Sequence, residues 1–403
     1  MKRSYDVILY GATGFVGRQT ARYFADHGAG LRWAIAGRSA AKLSALRGEW
    51  PDAPPGVVVA DANDAAALDT LAAQARVVLS SAGPFAKFGS ELVAACVRHG
   101  THYVDITGET PWVRQMIDRH HDAAAKDGTR IVPGCGFDSV PSDLGAWMVA
   151  GALRERHGER CARIKACFSI RGGLNGGTAA SMFNALDEGA QSAFDDPFLL
   201  NPAGTAPADT TSHRDPAGAL RDADFGCWMA PFMMGPINTR VVRRSAALLA
   251  DSGLYAPDFR YQEYARMGRG ASGALMATTV AIGMAAGRSA LAFAPLRRLA
   301  ERGLPAPGEG PSERAMDQGS FRCELIGVGE RGSVQRGRIA GRGDPGNRAT
   351  TVFVCEAALA LALALEAKRL PGGTRLGGVL TPSVAFGQVL AERLRAAGMT
   401  IDP

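Results

Sequence analysis

Three glycines stand three residues apart near the start of the chain, in Tyr10-Gly11-Ala12-Thr13-Gly14-Phe15-Val16-Gly17. Between an apolar strand and a helix, this spacing suits a diphosphate. The first glycine permits a tight turn, the second lets a pyrophosphate approach the backbone, and the third lets helix and strand pack closely. The phosphate then rests on the positive end of the helix dipole. Gly11, Ala12, Thr13, Gly14, Phe15, Val16 and Gly17 are therefore expected to hold a dinucleotide.

The residue about 20 positions beyond such a turn selects the dinucleotide, because Asp or Glu there binds the ribose 2′-hydroxyl of NAD. This chain has Gly37-Arg38-Ser39 instead, with Lys42 close behind. A guanidinium forks onto a 2′-phosphate, and a serine hydroxyl can add a hydrogen bond. Gly37, Arg38, Ser39 and Lys42 thus point to NADP(H). Ligands bind outside the carboxyl ends of parallel strands. On that ground Asp61 and Ala62 suit the adenine edge, and Ser81, Ala82, Gly83, Pro84 and Phe85 the nicotinamide ribose. Thr107 and Gly108 follow the fifth strand on the same side.

Hydride transfer is the cofactor's chemistry; the protein orients the acceptor and manages a proton. The candidates for that work are Glu109, after the fifth strand, and Asp138 and Ser139, after the sixth. Gly134 and Gly136 precede the latter pair and suggest a close approach of backbone to ligand. Ser142 and Asp143 read as helix caps. Cys135 reads as a buried thiol, and His102, His120 and His121 as packed or surface side chains. Gly172, Gly173, Gly176, Gly177 and Thr178 form a glycine-rich stretch, either a cover for the nicotinamide or a plain loop. Asn238 and Arg240 could bind a polar group, or, with Arg243 and Arg244, form the wet face of a strand.

These residues need a scaffold of alternating strands and helices. Short apolar runs at 6–10, 31–36, 57–60, 76–80, 102–105 and 130–133 alternate with helical stretches. That order predicts an α/β fold: a Rossmann-type doubly wound parallel sheet with a second α+β domain. The expected boundaries are 1–145 for the NADP-binding domain, 146–350 for an α+β substrate or lid domain, and 351–403 for C-terminal helices packing back on the first. In the second part, 163–170, 238–242, 259–265, 320–327 and 350–355 read as strands, 195–225 as a long loop, and 356–368 and 383–397 as helices.

Composition narrows the function classes. The chain has 403 residues, a formal charge of +6 and seven cysteines without a C-x-x-C. Zinc and disulfide frameworks are not supported, and reduced cytoplasm is the expected compartment. No basic tail or aromatic-basic interleaving of the nucleic-acid kind occurs.

The start of the chain, with Ala36-Gly37-Arg38-Ser39 and Gly83-Pro84-Phe85, resembles the saccharopine dehydrogenase-like NADP-binding oxidoreductases. Tyr103-Val104-Asp105-Ile106-Thr107-Gly108-Glu109, the stretch from Gly134 to Asp143, Pro236-Ile237-Asn238-Thr239-Arg240 and Gly308-Glu309-Gly310-Pro311-Ser312-Glu313 are similar to their trans-acting enoyl reductase branch. The resemblance implies NADPH-dependent reduction of an enoyl (or keto) group on a lipid-like or carrier-bound acyl substrate. It also implies an acyl carrier protein or polyketide synthase as partner. Two other readings stand beside it: a non-catalytic NADP(H)-binding regulator, and a saccharopine-type imine or amino-acid oxidoreductase. A complete second domain and the polar strand ends favour an enzyme.

One stretch falls outside this scheme. Residues 270–296 are apolar and rich in Ala and Gly, and Arg297, Arg298 and Arg302 follow. The run is too weakly apolar to span a bilayer. It is either a buried helix or, over 270–302, a peripheral membrane or acyl-chain contact.

Overall fold

The computed structural model describes residues 3–28, 30–172, 195–292, 309–365 and 367–403. The glycine-rich stretch 173–178, apart from Gly172, and the arginines at 297–302 lie outside the described residues.

The first part of the chain alternates as its sequence predicts. The elements are β1 (Tyr5–Tyr10), α1 (Phe15–His27), β2 (Trp33–Gly37), α2 (Ala40–Arg47), β3 (Gly56–Val59), α3 (Ala65–Gln74) and β4 (Ala75–Ser80). They continue with α4 (Phe85–Phe88), α5 (Ser90–Arg98), β5 (His102–Asp105), α6 (Thr110–Asp127), β6 (Arg130–Val132) and α7 (Val140–His157). Strand β1 shows why these residues make a central strand. Val7 and Leu9 enter one core cluster while Ile8 and Tyr10 enter the other, so both faces are buried. The sheet order is β13-β6-β5-β4-β1-β2-β3, all parallel. Strand β13 (Gly378–Val379) comes from the C-terminal segment.

The second part departs more from expectation. It holds β7 (Cys161–Arg171), β8 (Leu220–Asp222), β9 (Cys227–Pro231), α8 (Gly235–Leu248), β10 (Tyr255–Gly268), α9 (Gly270–Ala292), α10 (Glu313–Asp317), β11 (Ser320–Gly329) and β12 (Val334–Arg342). Then follow α11 (Thr350–Ala364), β13, α12 (Pro382–Phe386), α13 (Gln388–Ala396) and β14 (Thr400–Asp402). The second sheet is mixed, in the order β14-β12-β11-β7-β10-β9-β8.

Two stretches read as strands are helices. Residues 238–242 lie inside α8, where Pro236 occupies the first turn and needs no N–H partner. Residues 350–355 open α11, whose apolar surface is buried all round. The helix expected over 383–397 is split at Gly387, where φ is +49°.

Helices α3, α5 and α6 cover one face of the parallel sheet. Helices α1, α2 and α11 cover the other, and the same apolar cluster runs on through α7 into the second sheet. The mouth of the parallel sheet, at the carboxyl ends of β1, β4, β5 and β6, thus stands beside the second part of the chain.

Candidate functional site

The strand order reverses between β1 and β4, and the crevice there is where a doubly wound sheet takes its ligand. The glycine turn closes one side of it. Gly11 has φ +81°, and a Cβ there would stand 2.9 Å from the Ala82 backbone nitrogen. A Cβ on Gly17 would stand 2.2 Å from the Gly11 carbonyl oxygen. Only glycine fits either place. The Gly11 and Ala12 N–H groups donate to the Ala36 carbonyl at 3.0 and 3.2 Å. Ser81 donates from its N–H to the Tyr10 carbonyl, 3.0 Å, and its hydroxyl reaches the Gly11 carbonyl at 3.2 Å. The turn is therefore fixed to the ends of both β2 and β4.

Helix α1 begins bare. Its cap is Gly14, with no side-chain hydrogen bond and no acid in the first turn. The N–H groups of Phe15, Val16 and Gly17 have no partner among the described residues. Free N–H groups at a positive dipole end are what a pyrophosphate needs.

At the end of β2, Arg38 is exposed and makes no hydrogen bond or ion pair among the described residues. Ser39 caps α2, accepting from the Lys42 N–H at 3.4 Å, and its hydroxyl proton stays free to donate. Asp61 accepts from the N–H and side-chain amide of Asn63 at 2.9 and 3.1 Å, which shapes the turn after β3 beside Ala62. The residues expected to bind the adenosine end are thus brought together along β2 and β3. Gly310 adds a feature that the sequence did not suggest. Its backbone lies so close to the Phe15 ring that a Cβ would come within 2.5 Å, and Arg22 pairs with Glu313 at 3.2 Å. The segment before α10 therefore crosses to the glycine turn.

On the nicotinamide side, Glu109 is fully engaged. One carboxylate oxygen accepts from the Phe85 N–H and the other from the Ala86 N–H, each at 2.8 Å. It fills the N-terminus of α4 and so holds Gly83, Pro84 and Phe85 in place. Its own N–H donates to the Thr107 hydroxyl at 3.0 Å, and Gly108 lies against Ile237. Asp105, quoted above only as part of a motif, organises the next loop. Its Oδ1 accepts from the N–H of both Thr107 and Gly134 at 2.9 Å. Burial, opposed by those two bonds, pushes its carboxyl up to about 7.

Asp138 and Ser139 differ. Asp138 is half-buried, has no hydrogen-bond partner among the described residues, and burial pushes its carboxyl up to about 6. The Ser139 hydroxyl is buried and unpartnered. It lines a narrow cavity with Thr107, Gly108, Ile237, Val241 and Arg244. The last three sit at i, i+4 and i+7 on α8, a helical spacing that the strand reading of 238–242 concealed.

The other candidates from the second part face inward. The Asn238 side-chain amide donates to Glu263 at 2.8 Å. Arg240 pairs with Asp215, and Arg243 donates to the Pro197 and His213 carbonyls. All three are buried, so this is neither a ligand contact nor a wet face. Cys135 is buried, and His102 and His121 accept from the N–H groups of Arg130 and Val379.

Comparison with known proteins agrees with this geometry. Residues 7–132 match the saccharopine dehydrogenase NADP-binding domain. A Mycobacterium tuberculosis protein provisionally named as a trans-acting enoyl reductase is 40% identical, the match covering 99% of this chain and 97% of that protein. The trans-acting enoyl reductase of Mycobacterium ulcerans is 36% identical, over 100% of this chain and 98% of its own. Apo saccharopine dehydrogenase (L-Glu forming) from Saccharomyces cerevisiae shares the fold at 14% identity and TM-score 0.52, with 98% of each chain covered.

Proposed function

The chain belongs to the family of saccharopine dehydrogenase-like, NADP-binding trans-acting enoyl reductases, and from that premise we propose that it reduces an enoyl (or keto) group on a lipid-like or carrier-bound acyl substrate. It is an NADP-dependent oxidoreductase, and NADP(H) is its cofactor. The observation that carries the proposal is one of leftovers. The N–H groups that open α1 and the buried Ser139 hydroxyl, which has no partner among the described residues, both follow the carboxyl ends of strands in the same parallel sheet, and Asp138 adjoins Ser139.

The glycine turn and the first N–H groups of α1 would hold the pyrophosphate, and Arg38, Ser39 and Lys42 the 2′-phosphate. The bound cofactor supplies a hydride. The chain's own residues do the rest. Ser139 donates a hydrogen bond to the acceptor's carbonyl oxygen, which gains negative charge as the hydride arrives. Asp138, whose carboxyl burial raises to about 6, holds a proton in mildly acid solution and delivers it to the α-carbon of the enoyl group, or to the oxygen of a keto group. Thr107, and Glu109 through α4, position the groups around them. The acyl chain comes to the site on an acyl carrier protein or polyketide synthase. The net charge of +6 favours an acidic carrier. We place the reaction in the cytoplasm, where seven buried free thiols stay reduced.

The test is a purified-protein screen of NADPH and NADH against enoyl, ketoacyl and imine substrates. NADPH oxidation is expected with an enoyl thioester. Arg38→Asp should weaken NADPH binding about a hundredfold, as losing a charged hydrogen-bond pair costs about 3 kcal/mol. Equal affinity of the unaltered protein for NADH and NADPH would refute the 2′-phosphate assignment, and oxidation by imines alone would refute the enoyl reading.

A further inference from the structure

Helix α9 has surroundings that do not match its composition. From Gly270 to Gly287 it carries no charged residue and is long and apolar enough to cross a membrane. A helix apolar all round is normally buried. Here only a thin inner stripe is: Gly273, Ala277 and Ala281, against β9 and β10. The approach is close, since a Cβ on Gly273 would stand 2.6 Å from the Gly268 backbone. The opposite stripe, Leu275, Thr279, Ile282 and Ala286, faces outward with Met276 beside it. Leu275 is 71% exposed, Met276 54% and Ile282 64%. Nothing polar on the helix accounts for that exposure.

Charge indicates what covers it. Arg269, at the start of α9, is exposed and unpaired among the described residues. In the sequence, Arg288, Arg297, Arg298 and Arg302 come next, against the single acid Glu301. Cations close in sequence to an apolar stripe complement an anionic headgroup layer, whereas a second copy of this chain would bring like charges together. We propose that α9 lies in the interface of an anionic bilayer, its Leu275–Ile282 stripe among the upper acyl chains. It does not cross the bilayer, because its inner stripe is fixed to the second sheet. The proposal goes beyond the reductase reading and stands without it.

The experiment is flotation of the full chain with vesicles of phosphatidylcholine alone or mixed with phosphatidylglycerol. The protein should rise with the mixed vesicles and less so as salt increases. The Leu275→Glu, Ile282→Glu double variant alters only exposed positions. It should keep its NADPH affinity and lose about a hundredfold in vesicle binding, roughly tenfold for each side chain withdrawn. Failure of the unaltered protein to rise with mixed vesicles overturns the proposal, as does undiminished binding by the double variant. A dimer in sedimentation that the double variant dissolves would assign the stripe to a second copy, which also overturns it.

Discussion

The loops after β5 and β6 leave the same end of the same sheet and both carry acids, yet the carboxylates of Glu109 and Asp138 have opposite fates. After β5, Glu109 has both oxygens on backbone N–H groups, and Thr107 accepts from Glu109 in turn. After β6, among the described residues, Asp138 has no partner and the Ser139 hydroxyl is buried without one. Buried polar groups are nearly always satisfied, so the Ser139 hydroxyl, left over in its cavity, is available to a ligand. The first loop holds its neighbours; in our proposal the second offers groups to a substrate. Position and residue type made both acids candidates, and only the glycines before Asp138 set it apart.

The sharpest way to break this comparison is to remove the proton that Asp138 carries. Asp138→Asn should lower kcat by about 10²- to 10⁴-fold, the usual range for a positioned acid, with NADPH affinity unchanged. The unaltered enzyme should slow as pH rises past about 6, where Asp138 loses its proton. That limb should vanish in the variant. An unchanged pH–rate profile in Asp138→Asn would remove it from the chemistry.

A smaller effect concerns Asp105, which joins the two loops. Its folded-state carboxyl is raised to about 7, mainly by burial, against an ordinary 3.8. Between these values the folded chain binds a proton that the unfolded chain has lost. The stability this contributes is complete below about pH 4 and is lost as pH rises through 7. Each unit of the shift is worth about 1.4 kcal/mol at most. Denaturant midpoints should therefore fall from pH 5 to pH 8, and Asp105→Asn should flatten the slope. An equal slope in the variant would place the titration on Asp138, Asp143 or Glu263, which burial also raises.

The same division explains what could be read from the sequence. The glycine turn and Arg38 are features of local backbone and a strand end, so spacing alone was enough to propose them as the cofactor's holders. The parallel sheet was legible because its strands are short, apolar and separated by helices. The second part was harder. Arg240, Arg243 and Arg244 looked like a solvated strand face, but they lie buried on α8, bonded to Asp215 and to carbonyls distant in sequence. Thr350-Thr351-Val352-Phe353-Val354-Cys355 has strand-like residue types, yet burial on the parallel sheet makes it helical, tertiary context overriding propensity. Helices α9 and α11 are both apolar all round. Only the fold shows that α11 is covered and α9 is not.

Glu109 is where the comparison is finest, because its partners Phe85 and Ala86 lie 24 and 23 residues away and no local pattern announces them. If it holds α4 and does no chemistry, Glu109→Gln should act on stability first. The amide keeps one acceptor but turns an N–H₂ group toward a backbone N–H that then goes unsatisfied. That costs about 1–3 kcal/mol for a buried donor. Thermal melts should show the loss, while turnover per folded molecule stays within a few-fold of the unaltered enzyme. Glu109→Ala should be less stable still, since neither N–H finds a partner. Full stability in Glu109→Gln with a collapse of kcat would reverse the roles of the two loops, making Glu109 the acid and leaving Asp138 without a task.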